Sequence, residues 1–219
     1  VIYTGKLTSV KLTGGLTINC DAGVSLSRLC NFALENSLTG LEFAFGIPGS
    51  AGGAAYMNAG AYGGEMKDVI VSCTHITPQG IIENVEASSL GFGYRKSVYS
   101  DNGCVIISID VSLMLGCKQK IKSEMLDIIE KRRLKQPLEY PSAGSVFKRP
   151  EGYYAGALIE QCGLKGRSVG GAQLSEKHAG FIVNRGGATC EDVKRLIEII
   201  KENVYSCFGV MLETEIKMV

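Results

Sequence analysis

Apolar residues change their period several times along this chain, and each change marks an element. Leu26, Leu29, Cys30, Ala33 and Leu34 recur at i, i+3 and i+4 behind Ser25, whose hydroxyl suits an N-cap. The spacing predicts a helix over 26–36 with one buried face. Residues 1–20 read as two strands broken at Gly14-Gly15. VIVSCTHI and IIENVE form a hairpin around Pro78-Gln79-Gly80, and CVIISIDVSLML reads as one long strand. The connections are too short for crossover helices, so antiparallel pairing is expected. Ser123 opens a helix to about Leu134, and Pro137 with Pro141 marks a boundary.

Beyond that boundary, 154–162 predicts a short helix stopped by Gly163. Thr189 and Asp192 are spaced as a capping box, opening a helix whose apolar face is Val193, Leu196, Ile197, Ile200 and Val204. The closing VMLETEIKMV alternates, with Val210, Leu212, Ile216 and Met218 on one face and Glu213, Glu215 and Lys217 on the other, as a strand would. Strands and helices in this mixture predict an α+β protein. Two domains are expected, over 1–136 and 137–219.

Composition narrows the class. A chain of 219 residues, 45% hydrophobic, can bury a substantial core. A net charge of +1 leaves no basic surface of the kind that nucleic acid selects. No apolar run reaches the roughly 20 residues of a membrane span and no signal segment opens the chain, so a cytoplasmic protein is expected. The eight cysteines contain no C-x-x-C pair, which removes zinc spacing, and they read as reduced core residues. His75, inside an alternating run without a partner cluster, fills a strand position rather than a metal site.

Residues 46–64, GIPGSAGGAAYMNAGAYGG, hold seven glycines and five alanines in nineteen positions. Such a backbone admits close approach by another chain segment or by a ligand, phosphates above all. The interleaved Ile47, Tyr56, Met57 and Tyr62 argue against a linker. Gly166-Arg167-Ser168-Val169-Gly170 matches G-x-S-x-G, the hydrolase nucleophile elbow. A loop-like LKG precedes it, Gly171 and Ala172 follow it, and His178 lies too near, so it reads as a chance match.

GIPGSAGGAAYMNAGAYG, FGYRKS, PSAGSVFKRP and GVMLETEIKMV, in this order, resemble the UDP-N-acetylenolpyruvoylglucosamine reductases, also called UDP-N-acetylmuramate dehydrogenases, of peptidoglycan synthesis. The resemblance implies part of a two-subdomain FAD-binding fold over 1–136 and a smaller α+β substrate domain over 137–219. It implies FAD and NADPH as cofactors, UDP-N-acetylglucosamine enolpyruvate as substrate, and a monomer. The Gly-rich segment is implied to line the flavin through Gly46, Ile47, Pro48, Gly49, Ser50, Gly52, Gly53, Asn58, Ala59, Gly60, Ala61 and Tyr62. Arg95 and Glu215 match the pair that polarises the enolpyruvyl group, and Ser145 matches the proton donor. Tyr94, Arg132, Lys135, Lys148 and His178 align with residues that hold the UDP-sugar. Periodicity does not choose between Glu213 and Glu215; the resemblance selects Glu215.

In that family a leading subdomain supplies a G-x-G-S-N loop. The present sequence starts at VIYTGKLTSV, similar to the first strand of the second subdomain, and resembles the class without an inserted substrate-closing tyrosine. The expectation is a fragment with half of a pyrophosphate clamp, weak in FAD binding. The sequence leaves two alternatives: a UDP-sugar-binding module with an empty flavin face, and a serine hydrolase using Ser168.

Overall fold

The computed structural model describes residues 2–218; Val1 and Val219, the outer bounds of the expected domains, lie outside them. The chain divides into two units, Val1–Lys131 and Arg132–Val219, so the division falls inside a helix five residues before the boundary drawn from sequence.

In the first unit, β1 (Val10–Gly14) and β2 (Thr17–Asp21) form an antiparallel hairpin whose turn needs the positive φ of Gly15, +55°. Residues ahead of Val10 are not strand; a turn there closes with the Leu7 N–H donating to the Thr4 carbonyl at 2.9 Å. Helix α1 (Leu26–Glu35) starts where expected, with Ser25 Oγ accepting from the Arg28 N–H at 3.3 Å. It buries Leu26, Leu29, Cys30 and Ala33, while Leu34 is half-buried. There follow β3 (Leu38–Thr39), α2 (Ala51–Tyr56), the small hairpin of β4 (Gly60–Ala61) and β5 (Gly64–Glu65), β6 (Ile70–Ile76), β7 (Ile82–Glu86), β8 (Val105–Ser112), β9 (Met114–Leu115) and α3 (Lys118–Lys135).

The main sheet has the order β1-β2-β8-β6-β7, antiparallel throughout. Register explains its two faces. Cys20 and Cys73 both lie opposite Ile109, and Ile18 opposite Val111, giving a row of fully buried side chains. One residue along each strand the chemistry inverts: Asn19 Nδ2 donates to Asp110 Oδ1 at 2.9 Å, and Ser72 Oγ to Asp110 Oδ2 at 2.8 Å. His75 fills a buried position of β6, its Nδ1 3.0 Å from the Tyr99 hydroxyl.

Helix α3 begins at Lys118, not at Ser123, which lies exposed within it. The buried stripe of this helix, Ile121, Met125 and Ile128, already starts ahead of Ser123, and the lysines around it stay in solvent.

The second unit contains β10 (Ser142–Ser145), α4 (Ala155–Gln161), β11 (Ser168–Val169), β12 (Ala172–Leu174), β13 (Phe181–Asn184) and α5 (Cys190–Phe208). Its antiparallel sheet runs β10-β13-β12-β11. Leu158 and Ile159 of α4 and Leu196, Ile197, Ile200 and Val204 of α5 share a core with Val146, Leu174 and Ile182. Thr189 and Asp192 close a reciprocal capping box, at 3.1 and 2.9 Å, and Gly209 ends α5 in the left-handed region.

Two expectations fail here. The C-terminal segment alternates in burial at Leu212 and Glu213 but is no strand; it makes one isolated bridge, Phe147 to Thr214. Pro150, two residues past Lys148, has no N–H with which to extend that ladder. The cysteines are all free, but Cys117, Cys190 and Cys207 are exposed and Cys104 and Cys162 half-buried, so only Cys20, Cys30 and Cys73 are core residues. Ser168 sits in a β-hairpin turning at Gly170, with no helix behind it, so the nucleophile-elbow geometry is absent.

Candidate functional site

The Gly-rich segment is not a bare loop. Ala51–Tyr56 forms α2, with Ser50 as N-cap accepting from the Gly53 N–H at 3.3 Å. The Ala51 and Gly52 N–H groups donate to the carbonyls of Val24 and Ala22, at 2.8 and 2.9 Å. The first three amides of α2 are thereby satisfied within the protein, and its N-terminus is not an open anion cradle. A Cβ on Gly52 would stand 2.7 Å from that of Ala22, so this glycine serves close packing. On the other side, Pro48, Gly49 and Gly53 are exposed, and a Cβ on Gly49 would meet nothing within 4 Å. Ile47 and Gly46 turn the chain into that surface, Gly46 at φ +78°.

Downstream, Asn58 and Tyr62 adopt φ of +42° and +51°, and Arg95 in the GYR segment +52°. Among the described residues only Ser37 is another non-glycine residue with positive φ. Each such conformation costs about 1–3 kcal/mol and persists only where its surroundings enforce it. The enforcing contacts are present. Arg95 Nη2 donates to the Gly60 carbonyl at 2.9 Å, and its guanidinium lies 5.1 Å from the Tyr94 ring centre. Asn58 Nδ2 donates to the Gly93 carbonyl at 2.9 Å and to Glu65 Oε2 at 2.7 Å; Ser97 Oγ donates to the Tyr56 carbonyl at 2.7 Å. Burial opposes ionisation of Glu65, but hydrogen bonds from Lys67 and Asn58 and the charges of Lys67 and Arg95 outweigh it and hold the carboxyl below its usual range. Ala59 and Ala61 lie within this clasp, half-buried, while Tyr62 and Tyr94 are exposed.

In the second unit, Ser145 ends β10 opposite Phe181 and is exposed. Its neighbour Val146 accepts from the Glu215 N–H at 2.8 Å, and the Lys148 N–H donates to the Glu213 carbonyl at 2.8 Å. The Phe147–Thr214 bridge therefore brings Ser145 and Glu215 onto adjoining segments, and sets Lys148 directly across from Glu213, with which it forms an ion pair. Periodicity alone put the two glutamates on equal terms; the fold separates them, Glu213 exposed and paired with Lys148, Glu215 half-buried.

Arg132 is 5% exposed, whereas Lys135, one turn on, is in solvent. Lys177 Nζ caps the end of α3 by donating to the Arg133 carbonyl at 2.8 Å. His178 Nδ1 accepts from the Gly180 N–H at 3.0 Å, and its ring meets Phe181 edge-on. Burial pushes the imidazole below its ordinary range, and a neutral ring with Nδ1 as acceptor carries its proton on Nε2. Thus Arg95, Tyr94, Asn58 and Gly60 are grouped within the first unit, and Ser145, Lys148 and Glu215 within the second. Glu65 and Ser97 escaped sequence reading; nothing in spacing ties Glu65 to Asn58 or Ser97 to Tyr56. Among the described residues no three His, Cys, Asp or Glu side chains could hold a metal, and no helix is long and apolar enough to cross a membrane.

Comparison with known proteins bears on the whole chain. Residues 136–219 match the family described as UDP-N-acetylenolpyruvoylglucosamine reductase, C-terminal domain, and residues 1–86 match the FAD binding domain. The UDP-N-acetylenolpyruvoylglucosamine reductases of Streptococcus pneumoniae strains Hungary19A-6 and CGSP14 are 49% and 50% identical over 218 residues, covering 100% of this chain and 72% of each relative. The crystal structure of UDP-N-acetylenolpyruvylglucosamine reductase from Thermus caldophilus matches with a TM-score of 0.85 at 35% identity, over 97% of this chain and 74% of that one.

Proposed function

The chain belongs to the UDP-N-acetylenolpyruvoylglucosamine reductases, FAD-containing oxidoreductases of peptidoglycan synthesis, and from that premise we propose that Arg95, Ser145 and Glu215 carry its chemistry. The substrate is UDP-N-acetylglucosamine enolpyruvate, reduced to UDP-N-acetylmuramate at the expense of NADPH. Bound FAD supplies the hydride relay between NADPH and the enolpyruvyl carbon.

The residues present fit a flavin. Exposed backbone at Pro48–Gly49 and Gly53, with open space over Gly49, leaves room for a flat ligand, and the 60–62 segment offers a second edge. Since the first amides of α2 are committed to Ala22, Val24 and Ser50, the reading assigns the flavin to Gly46–Ser50, Gly53 and Ala59–Tyr62, and removes Gly52.

Hydride addition builds negative charge on the neighbouring carbon and its carboxylate. A guanidinium stays charged at every relevant pH, and Arg95 is already fixed by Gly60 and Tyr94, so little reorganisation is needed when the charge appears. Glu215 assists in polarising the enolpyruvyl group. Ser145 supplies the proton that quenches the enol, an O–H at an exposed strand end. Tyr94, Arg132, Lys135, Lys148 and the Nε2–H of His178 hold the UDP-sugar, the cations meeting its diphosphate. In this reading the protein acts as a cytoplasmic monomer and touches no nucleic acid, in keeping with its net charge of +1.

The observation that carries the reading is the Val146–Glu215 backbone bond, which sets the proton donor and the carboxylate on adjoining segments. Stopped-flow absorbance of a Ser145→Ala variant tests it. Flavin bleaching by NADPH should keep its rate while reoxidation by substrate falls at least about 100-fold. Equal slowing of both steps would remove the proton-donor role.

A further inference from the structure

The resemblance implies Asn58 as a flavin contact, yet the residue is 0% exposed. Its hydrogen-bonding capacity is spent inside the protein. Nδ2 donates to Glu65 Oε2 and to the Gly93 carbonyl, at 2.7 and 2.9 Å, and Oδ1 accepts from the Lys67 N–H at 2.9 Å. Three of the four bonds an amide side chain can make are filled, which leaves it poorly suited to recognising a ligand.

What these bonds hold is the base of a tight turn. The Gly93 N–H donates to the Lys96 carbonyl at 2.9 Å and the Lys96 N–H returns to the Gly93 carbonyl at 3.2 Å, with Tyr94 and Arg95 at the turn centre. Gly93 O thus receives Lys96 from within the turn and Asn58 from outside. On the far side Ser97 is tied to the Tyr56 carbonyl. The guanidinium of Arg95 then reaches Gly60, only two residues past Asn58. Both ends of the arginine, backbone and guanidinium, are therefore referenced to the same short stretch of chain. Its left-handed backbone, which the residue would not adopt unaided, is the conformation that these bonds enforce.

We propose that Asn58 is the positioning residue of Arg95: through the Gly93 carbonyl it fixes the turn that aims the guanidinium, with Glu65 holding the amide in orientation. The inference rests on the reading of Arg95 as the group that meets the developing charge. Asn is suited to the task because it tolerates positive φ while offering two donors in one plane. The isosteric Asp keeps the shape and the backbone tolerance but sets a carboxylate against Glu65 and a carbonyl.

Three measurements decide it. In the ligand-free chain, Asn58→Asp should speed amide hydrogen exchange at Lys96 at least about tenfold. In the cofactor-loaded protein the same variant should lower substrate reduction about 100-fold, the cost of a misplacement near 1 Å, while flavin reduction by NADPH stays within about twofold. Combined with Arg95→Ala, it should add no further loss. Should Asn58→Asp fail to fold, Ser97→Ala, which releases the turn from Tyr56, is expected to give the same pattern more weakly. Multiplicative losses in the double variant, unchanged exchange at Lys96, or a parallel fall in flavin reduction would each overturn the proposal. An Arg95→Ala variant that still reduces substrate normally would overturn the Arg95 reading itself, and exchange at Lys96 would still report whether Asn58 holds the turn.

Discussion

Substituting alanine at two adjacent glycines of α2 separates packing from ligand contact. At Gly52 the new methyl would lie 2.7 Å from Ala22 Cβ and 3.2 Å from Ala22 Cα and O. Ala22 cannot retreat easily, because its N–H is bound to the Ile107 carbonyl and its own carbonyl accepts from Gly52, both at 2.9 Å. Overpacking of this kind costs about 1–3 kcal/mol, and alanine returns up to about 1 kcal/mol through helix propensity. With rigid backbone on both sides the higher cost applies, and Gly52→Ala should lose about 1–2 kcal/mol, or roughly 2–8 °C in Tm. At Gly53 the methyl meets only Ser50 Oγ at 3.4 Å, in an exposed position, so Gly53→Ala should gain a few tenths to about 1 kcal/mol. Thermal and urea unfolding of the ligand-free chain measure both. Flavin titration should show the reverse ranking, with Gly53→Ala impairing affinity because it fills the open side of α2. Shifts of the same sign at both positions would refute the packing argument, and undiminished flavin affinity in Gly53→Ala would move the flavin off this face.

The two glutamates of the C-terminal segment are expected to part company in kinetics. Glu215→Gln should lower kcat sharply with little change in KM, whereas Glu213→Gln, which unpairs Lys148, should leave kcat near wild type and alter KM; steady-state rates over a substrate series would show an equal fall in kcat if the assignment were wrong. His178 gives a pH effect of definite sign. Its pKa is lowered in the folded state from the usual 6.5, so its contribution is present above about pH 6.5 and is lost as pH falls below that value through the folded one. A His178→Gln variant, compared with wild type by Tm between about pH 7.5 and 5, should lose less stability on acidification; identical pH profiles would exclude the linkage.

Much of this protein was legible in its sequence because local physics decided it. Ser25, and Thr189 with Asp192, act within one turn of their own helices, so capping chemistry names those starts without knowledge of the fold. Period-two burial likewise announces the 70–86 hairpin, whose register follows from its short turn. The four quoted motifs carried the family, and with it the cofactor and reaction, because they are continuous in sequence. The failures share a cause. Whether alternation becomes a strand depends on a partner's free N–H groups, and Pro150 has none with which to extend the bridge from Phe147 to Thr214. Whether a glycine serves packing or a ligand depends on what lies across from it, Ala22 for Gly52 and open space for Gly49. Asn58, Glu65, Gly93 and Arg95 lie up to 37 residues apart and obey no period, so only the tertiary structure could join the amide to the carbonyl, and the carbonyl to the turn that directs the guanidinium.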